Sequence, residues 1–489
     1  MNDTIMIKLG DTWLDLPEEL SIQIEAWNPL FETDRIPGTL TFPFTLPFSS
    51  GNNKVLGFPG HLSVARYRQP QQACQLFLMG QLWKVGKLNL VKRSSKGYEV
   101  NFQTDVGDIS ALLKEQNLRE LDLGAEPLSL QALPVFPEAK YALFPVRNTD
   151  FFEERPELFS DIINDYDGGF KSAPANAFYR QYPVTPFPYL AHVLQAVLAT
   201  FGYTVTGSWI QEEETRRLVI YNTHALYPAS DLDGLAPLVI SDHLPDMKVN
   251  EFLKAIRSLF CLGMVFNPLR KEVEILSLDA VARDRTYMEW TESTGRLYDW
   301  EPALATGFTL EMTADSGDAL LGTVDLTYTV GSGKEPISCQ AGTLPMTDYF
   351  GRLLPEASQK EDGSGKYTLR LLSYRGLQQD QFDRIYPLGT SGTTDSKGAE
   401  IGTDSLQWAG PKGLYERRHK AWLDFLLHAE SIETEQSFHI KDFLALDCRR
   451  RSFIRHESGT FAGIWEKVSI TVSRKKGLQP AKVPLKRIY

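Results

Sequence analysis

The chain has 489 residues and a formal net charge of −11 at pH 7, with 42% hydrophobic and 23% charged residues. This composition is that of globular protein, and the length favours two to four domains. An acidic balance argues against a general nucleic-acid-binding protein, which would normally present a basic surface.

The four cysteines argue against a disulfide framework and against a structural zinc site. Cys74, Cys261, Cys339 and Cys448 stand far apart and form no CxxC pair, whereas zinc sites use closely spaced ligands. The N-terminus has no basic stretch followed by an apolar run, and no run approaches the ~18 apolar residues of a membrane span. We therefore expect no signal peptide and no transmembrane segment.

The first hundred residues are rich in predicted strands. "IMIKLG" and "ELSIQIEAW" alternate apolar and polar residues, which is the pattern of half-buried strands. Pro43 and Pro47 cannot donate to a sheet, so their segment is predicted at an edge or in an extended arm. Short strands follow at the spacing of a small barrel or sandwich. Residues 1–118 are predicted as a first β-barrel-like domain, closing with a helix capped by Asp108.

Residues 119–187 are predicted as an insertion of extended loops, because they lack periodicity. A loop of this length is often functional or contacts a partner, and the alternative is a plain surface insertion. Asp161, Asp165 and Asp167 in "SDIINDYDGG" superficially resemble a calcium-binding loop. The twelfth position from Asp165 is Asn176, where an EF-hand needs glutamate. No metal site is predicted here.

Residues 188–289 are predicted as two helix–strand modules. The first helix has one apolar face and ends at Gly202, before the strand "YTVTG". The second helix leads into "CLGMVFN", a turn and the strand "VEILSL", which together predict a hairpin. The apolar faces are Leu190, Val193, Leu194, Val197, Leu198 and Phe201 in the first helix, and Phe252, Leu253, Ile256, Leu259 and Phe260 in the second. The two align without a gap, so they are either a duplicated unit or two independent amphipathic helices.

The rest of the chain returns to strands. Residues 290–412 are predicted as a β-rich region with a flexible insertion, and the Gly, Ser and Thr-rich residues 386–413 as a mobile loop. Residues 413–489 are predicted as a helix-led second β-barrel portion. Its helix has packing positions at Leu414, Trp422, Phe425 and Leu426. The predicted fold class is mixed β-rich α+β, with two small barrels, intervening helix–strand modules and long insertions.

Motifs of catalysis do not appear. The sequence has no GxSxG, Walker, HExxH or GxGxxG motif. His439 and His456 are predicted to be structural or solvent-facing. The acidic runs Glu153–Glu154 and Glu212–Glu214 would serve a glycosidase only if two carboxylates faced each other across a cleft. We predict no catalytic residue, no cofactor-binding residue, no metal ligand, no cofactor and no enzymatic activity.

Charge is distributed unevenly along the chain. Residues 440–489 contain twelve Lys or Arg and four Asp or Glu, so the remainder is more acidic than the whole. The basic segments "CRRRSFIRH" and "SRKKG" would face an acidic partner or DNA, or they solvate turns. Such a layout suits head-to-tail stacking of protein rings, in which basic surface meets acidic surface.

Three segments resemble the baseplate hub proteins of tailed phages and contractile injection systems. They are "TLTFPFTLPFSSGNNKVLG", "VNEFLKAIRSLFCLGMVFNPLRKEVEILSLD" and the segment from "GLYERRHKAWLDF" to "GIWEKVSI". The middle segment is similar to a hub element in which a helix leads into a strand hairpin. The last is similar to a hub barrel in which a helix precedes a β-meander. The regions 120–185 and 340–410 depart from a minimal hub.

The resemblance implies a homotrimer whose two barrels per chain form a six-barrel ring. Such a ring joins the sixfold tail tube or distal tail proteins above to a threefold spike or fibre below, and DNA passes through it. It also implies location in the virion tail tip, after assembly in the bacterial host cytoplasm, without a membrane anchor.

Two other functions remain open at this level. One is a receptor- or carbohydrate-binding tail protein, with Tyr166, Phe170 and the segment "KAWLDF" as candidate aromatic contacts. The other is a tail-associated peptidoglycan hydrolase.

Overall fold

The structure is a computed structural model. It describes residues 4–32, 41–61, 63–64, 71–104, 109, 112–128, 130, 132–151, 160–171, 183–226, 237–315, 318–320 and 322–489. Its fold class is β-rich α+β with curled half-barrel sheets, which confirms the prediction. The helices are Ser50–Val55, Leu190–Thr200, Glu213–Arg216, Val249–Phe260, Leu278–Arg283, Lys420–His428 and Ile440–Leu444, and the π-helical turn Tyr415–His419 precedes Lys420. Short 3₁₀ turns span Leu118–Glu120, Trp209–Gln211, Ile240–His243 and Thr291–Ser293. The predicted cap Asp108 lies outside the described residues.

An antiparallel six-stranded sheet, the N-terminal sheet, is built from the first hundred residues. Its strands in spatial order are Thr12–Trp13, Ile5–Leu9, Gln72–Leu78, Gln81–Arg93, Tyr98–Thr104 and Thr41–Leu46. Ile5, Ile7 and Leu9 are buried and the residues between them are half-buried, as alternation predicts. Pro43 lies in the edge strand, which confirms its predicted place, because an edge strand tolerates a missing donor.

A second curled sheet, the C-terminal sheet, is built mainly from the end of the chain. Its main path is Tyr287–Glu289, Arg451–His456, Gly459–Trp465, Ala481–Ile488, Ser431–Gln436 and Thr294–Glu301. A branch adds Lys467–Ser473, Gly477–Leu478 and Ser21–Trp27. Tyr287–Glu289 and Thr294–Glu301 are the two terminal strands of this path. Because the sheet curls, the short turn Thr291–Ser293 is enough to join them. Between the strands Ser431–Gln436 and Arg451–His456 the chain forms the short helix Ile440–Leu444.

One strand links the two sheets. Ser21–Trp27 leaves the N-terminal region and pairs antiparallel along its length with Lys467–Ser473, so that Ile24 lies opposite Ile470. Both isoleucines are fully buried in a core that contains residues of both sheets. The sequence-based boundaries 1–118 and 413–489 stay predictions, but residues from both ranges share this core.

The two helix–strand modules pack together. Each predicted helix is present, and each leads into a strand of one three-stranded sheet, Thr204–Thr206, Glu272–Ser277 and Leu262–Asn267 in order. The predicted hairpin between the last two strands is confirmed. Gly202 ends the first helix with φ 76°, and Cys261, its counterpart in the gapless alignment, ends the second with φ 51°. Duplication stays a prediction, and both units use the left-handed cap.

The two predicted insertions meet in space. Val146–Asn148 pairs in parallel with Arg352–Ala357, and Leu218–Tyr221 pairs with Leu369–Gln379. The remaining strands of this part of the fold are Ala125–Glu126, Tyr141–Ala142, Ile162–Ile163, Phe187–Pro188, Leu238–Val239, Gly307–Met312, Thr327–Gly331, Glu335–Cys339, Ala341–Thr343, Met346–Tyr349 and Ile385–Thr390. Phe144, Phe187 and Leu372 are buried together between them. The insertions therefore form a packed unit with its own core.

The prediction of a mobile loop at residues 386–413 is wrong. Leu388, Leu406 and Trp408 are almost fully buried, and the Trp408 indole Nε1 donates to the carbonyl of Leu326 at 3.1 Å. Asp404 forms ion pairs with arginines of the following helical turn. Partners elsewhere in the chain order a segment whose own composition favours flexibility.

Candidate functional site: an acidic sheet edge

The strand Thr294–Glu301 lies at one end of the C-terminal sheet, and among the described residues it pairs with one strand only, Ser431–Gln436. Every residue from Arg296 to Glu301 is exposed, so both faces of this strand are open to solvent. The other end of the same sheet, Tyr287–Glu289, has only three residues. Short strands and prolines are the usual protection of a sheet edge, and this eight-residue strand has neither.

Large apolar side chains are exposed along this edge. The exposed fraction is 87% for Leu297, 53% for Trp300 and 79% for Leu304. Exposed apolar residues that cluster on a sheet edge are typical of a surface that another chain covers. These exposed apolar side chains therefore favour the edge as a surface that contacts another chain.

Carboxylates line the outer face of the same edge. Asp299 lies opposite Glu433 in the strand register, and Ile432 and Thr434, on the other face, are buried. Like charges directly opposite each other in a sheet destabilise it. Lys482 approaches Glu433 at 3.3 Å, whereas Asp299 has no ion-pair partner among the described residues.

Glu301 and Glu435 are the other exposed carboxylates of this surface, and neither has an ion-pair partner within the described ranges. We name Asp299, Glu301, Glu433 and Glu435 the acidic edge.

A cluster of hydrogen bonds around Glu430 orders the end of this edge. Arg487 Nη1 donates to Glu430 Oε2 at 2.9 Å, and the Arg487 guanidinium lies 4.6 Å from the centre of the Tyr489 ring. Hydrogen bonds from the Tyr489 hydroxyl, then from Trp300 and Arg487, hold the pKa of Glu430 below its usual value. Trp300 is therefore exposed but held in place, which lowers the entropic cost of using it in a contact.

A cleft of about 660 Å³ lies beside this cluster. It runs between the helix Lys420–His428 and the end of the strand Ala481–Ile488. Ala303, which follows the edge strand, also lines the cleft. Leu427 and Ile488 give it an apolar wall. The cleft and the edge together form one continuous surface.

The N-terminal sheet presents the opposite charge. The described residues 71–104 contain five Lys or Arg and one Glu. Four of these basic residues, Lys87, Lys92, Arg93 and Lys96, follow one hairpin, and we name them the basic ridge. Lys92 contacts Glu99 at 3.2 Å and stays largely exposed, and the neighbouring Val91 is also exposed.

The acidic residues considered from the sequence do not form a metal or catalytic group. Asp165 is buried and ion-pairs with Lys171 at 2.8 Å and with Arg352 at 3.0 Å, while Asp167 is exposed. In the described part of the chain no three metal-ligating side chains lie together.

Glu212 and Glu214, which the sequence offered as a glycosidase pair, each form an ion pair with a different arginine. Glu212 pairs with Arg418 at 2.7 Å and Glu214 pairs with Arg375 at 2.6 Å. Glu153 and Glu154 lie outside the described residues.

Two histidines named from the sequence have local roles. His456 ends a strand, and its Nε2 contacts the backbone carbonyl of Arg296, within the edge strand, at 2.8 Å. His439 precedes the helix Ile440–Leu444.

The predicted aromatic contacts are only partly accessible. Tyr166 and Phe170 are half-buried and pack edge to face, with ring centroids 5.2 Å apart. The segment "KAWLDF" is not an exposed platform, because Trp422 and Phe425 are buried against the core. That prediction is wrong, since the two rings lie on the inward face of their helix.

The exposed aromatic rings lie elsewhere, at the tips of two hairpins. Phe350 is 74% exposed and Phe382 is 67% exposed. The Gln381 backbone N–H donates to the carbonyl of Gly351 at 2.9 Å, and Arg384 Nη2 donates to the carbonyl of Phe350 at 3.0 Å. The two turns therefore brace each other. In the sequence, only the pair "FG" at a turn hinted at this feature.

Within the described residues, no helix is both long and apolar enough to cross a membrane.

No protein-family model and no curated protein matches the sequence. Among solved structures, the chain is similar to the 43 kDa tail protein of prophage MuSo2 from Shewanella oneidensis, with 11% identity, TM-score 0.39 and coverage of 99% of this chain and 97% of that one. It is similar to the tail protein from Neisseria meningitidis MC58, with 11% identity, TM-score 0.38 and coverages of 99% and 96%. It is also similar to prophage tail protein gp18 from Listeria monocytogenes EGD-e, with 6% identity, TM-score 0.38 and coverages of 99% and 94%. At TM-scores below 0.5, these likenesses establish neither family membership nor a role.

Proposed function

We propose that this chain is the structural hub of a phage tail baseplate. In this proposal three copies form a ring that joins a sixfold tail tube to a central spike or fibre and lets DNA pass. The observation that carries the proposal is the strand Ser21–Trp27, which comes from the N-terminal part of the chain and pairs within the C-terminal sheet, so that residues of both sheets share one core. One chain would thereby offer two barrel-like units at a fixed spacing, and three chains would offer six.

Two further observations support the proposal. The three sequence segments that resemble hub proteins contain the edge strand Thr41–Leu46 of the N-terminal sheet, the second helix–strand module and several strands of the C-terminal sheet. The exposed edge of the C-terminal sheet has the apolar and charged character of an assembly surface. The proposal places the protein in the virion tail tip after assembly in the host cytoplasm, and it assigns the chain no catalysis and no cofactor.

The test is the mass of the purified chain by light scattering over a concentration series, followed by imaging of the largest species. We expect three times the monomer mass of 55.2 kDa and a ring with threefold symmetry. A chain that stays monomeric alone and also when mixed with tail-tube protein would contradict the hub proposal.

A second candidate function is binding of a receptor or carbohydrate on the host surface. The braced turns favour it, because they hold Phe350 and Phe382 exposed and fixed. The double variant Phe350→Ser, Phe382→Ser should then abolish binding to host cell envelopes, while Val135→Ser, at another exposed apolar position, should not. Nothing in the described residues favours the third possibility, a peptidoglycan hydrolase.

A further inference from the structure

We propose that the acidic edge of one copy binds the basic ridge of the next copy, so that the chains associate head to tail. This inference rests on the proposed ring and names the contact that would close it. The acidic edge belongs to the C-terminal sheet, and the basic ridge belongs to the N-terminal sheet. One chain therefore has both halves of the contact, on two different sheets, and a heterologous interface joins two such different patches.

Charge is the first argument for this pairing. Asp299 and Glu433 face each other on adjacent strands, and among the described residues Lys482 forms an ion pair with Glu433 and not with Asp299. The repulsion within this pair is relieved if a lysine or arginine of another chain lies between the two carboxylates. Lys92 and Lys96 are exposed at the end of the hairpin and supply such charges.

Apolar surface is the second argument. Leu297 and Leu304 flank the carboxylates of the acidic edge, and Val91 lies beside Lys92 on the basic ridge. Stable contacts between proteins combine a buried apolar centre with a polar rim, and both surfaces offer this combination. The eight-residue edge strand also pairs with only one strand of the described chain, although the carbonyl of Arg296 already contacts His456.

The occupant of the edge is another copy in head-to-tail orientation, rather than a copy related by a twofold axis. A twofold contact would place one acidic edge against another, with Asp299, Glu301 and Glu433 of both chains close together. Like charges at an interface oppose association. Residues of both sheets share one core, and repetition of one head-to-tail contact generates a ring when the rotation between copies closes and an open filament when it does not.

The experiment uses the full chain and reverses charges on each side. One variant carries Asp299→Lys and Glu301→Lys, a second carries Lys92→Glu and Lys96→Glu, and a third carries all four changes. Glu335→Lys is the matched control, because Glu335 is exposed on a strand outside both surfaces. Sedimentation velocity measures association over a concentration series at low and moderate salt, and thermal unfolding checks that each variant is folded.

We expect each reversal to weaken association at least tenfold, and the fourfold variant to recover to within about threefold of the wild type. The control should associate like the wild type. Failure of the fourfold variant to recover would overturn the proposed pairing, and so would wild-type association by either reversed variant.

The outcomes separate this contact from the hub proposal. If the wild type forms trimers and the reversals have no effect, the contact is wrong and the hub proposal stands. If the wild type forms twofold dimers, or stays monomeric up to about 100 µM, a head-to-tail contact between copies is wrong. The hub proposal is then decided separately by the mixture with tail-tube protein.

Discussion

The imidazole rings of His224 and His243 lie edge to face, with centroids 4.8 Å apart. His243 Nδ1 donates to Asn222 Oδ1 at 3.1 Å, and its Nε2 is buried without a hydrogen-bond partner among the described residues. Burial, and then the proximity of His224 and Arg119, lower the pKa of His243 well below its usual value. The ring is therefore neutral in the folded protein at physiological pH.

The lowered pKa of His243 predicts that the folded protein loses stability in mild acid. Unfolding exposes His243, whose pKa returns to about 6.5, so below that pH the unfolded state binds a proton that the folded state excludes. His419 behaves alike, because burial lowers its pKa to about 4. Each histidine should reduce the free energy of unfolding by about 1.4 kcal/mol per pH unit as the pH falls from 6.5 toward the folded-state pKa.

Urea unfolding at pH 7.5, 6.0 and 5.0 checks this expectation. His243→Gln should make the pH dependence shallower by about one proton, since glutamine does not titrate. His456→Gln is the control, because His456 is on the surface. An unchanged slope in His243→Gln would show that His243 does not contribute to acid sensitivity.

The ion pairs of Arg418 predict that this side chain contributes to the order of residues 386–413. Arg418 bridges Asp404 at 2.5 Å and Glu212 at 2.7 Å. Arg418→Met should lower the free energy of unfolding by roughly 1.5–3 kcal/mol, because the buried Asp404 keeps Arg417 but loses its second arginine, and Glu212 loses its partner. Urea unfolding measures this, and hydrogen exchange should show faster exchange around Leu406. Lys412→Met, which removes the exposed pair with Glu400, should cost less than about 1 kcal/mol. Equal effects of the two variants would contradict the prediction.

These ion pairs also show why sequence reasoning failed for this segment. The amphipathic helices were predictable because positions three and four apart in the sequence meet on one helix face. The order of residues 386–413 comes from Arg418 and Glu214, whose contacts with the segment no local pattern reveals.

The candidate site was likewise not predictable from local sequence patterns. "RLYDWEPAL" reads as an ordinary strand, and only the sheet order shows that it lies at an edge. The composition indicated a basic segment at residues 440–489, whereas the opposition of Asp299 and Glu433 in the C-terminal sheet depends on strand register.

Strand sharing predicts that the N-terminal and C-terminal sheets unfold together. Ile24→Ala should lower the free energy of unfolding by about 2–5 kcal/mol, because it removes methyl groups from the common core. Hydrogen exchange should report equal losses of protection in Ile5–Leu9 and Ala481–Ile488. Gln23→Ala, on the exposed face of the same strand, should change stability by about 0.5 kcal/mol or less. Loss of protection in only one sheet would mean that the sheets are separate folding units.

The turn at Phe350 predicts an opposition between stability and binding. Phe350 has φ 49° and Gly351 has φ 78°, in a two-residue hairpin turn whose preferred sequence is Asn-Gly. A left-handed conformation is unfavourable for phenylalanine, and its 74% exposed ring gains little from packing. Phe350→Asn should therefore raise the free energy of unfolding by about 0.5–1 kcal/mol.

Thermal unfolding tests the stability, and adsorption to host cell envelopes tests the binding. If the receptor-binding function holds, Phe350→Asn should weaken adsorption although the protein is more stable. Phe382→Ser should weaken adsorption without a gain in stability, because Phe382 is not among the residues with positive φ. A loss of stability in Phe350→Asn would instead mean that contact with the Tyr349 ring, 4.7 Å away between centroids, outweighs the backbone strain. The phenylalanine would then have a structural reason to occupy the turn.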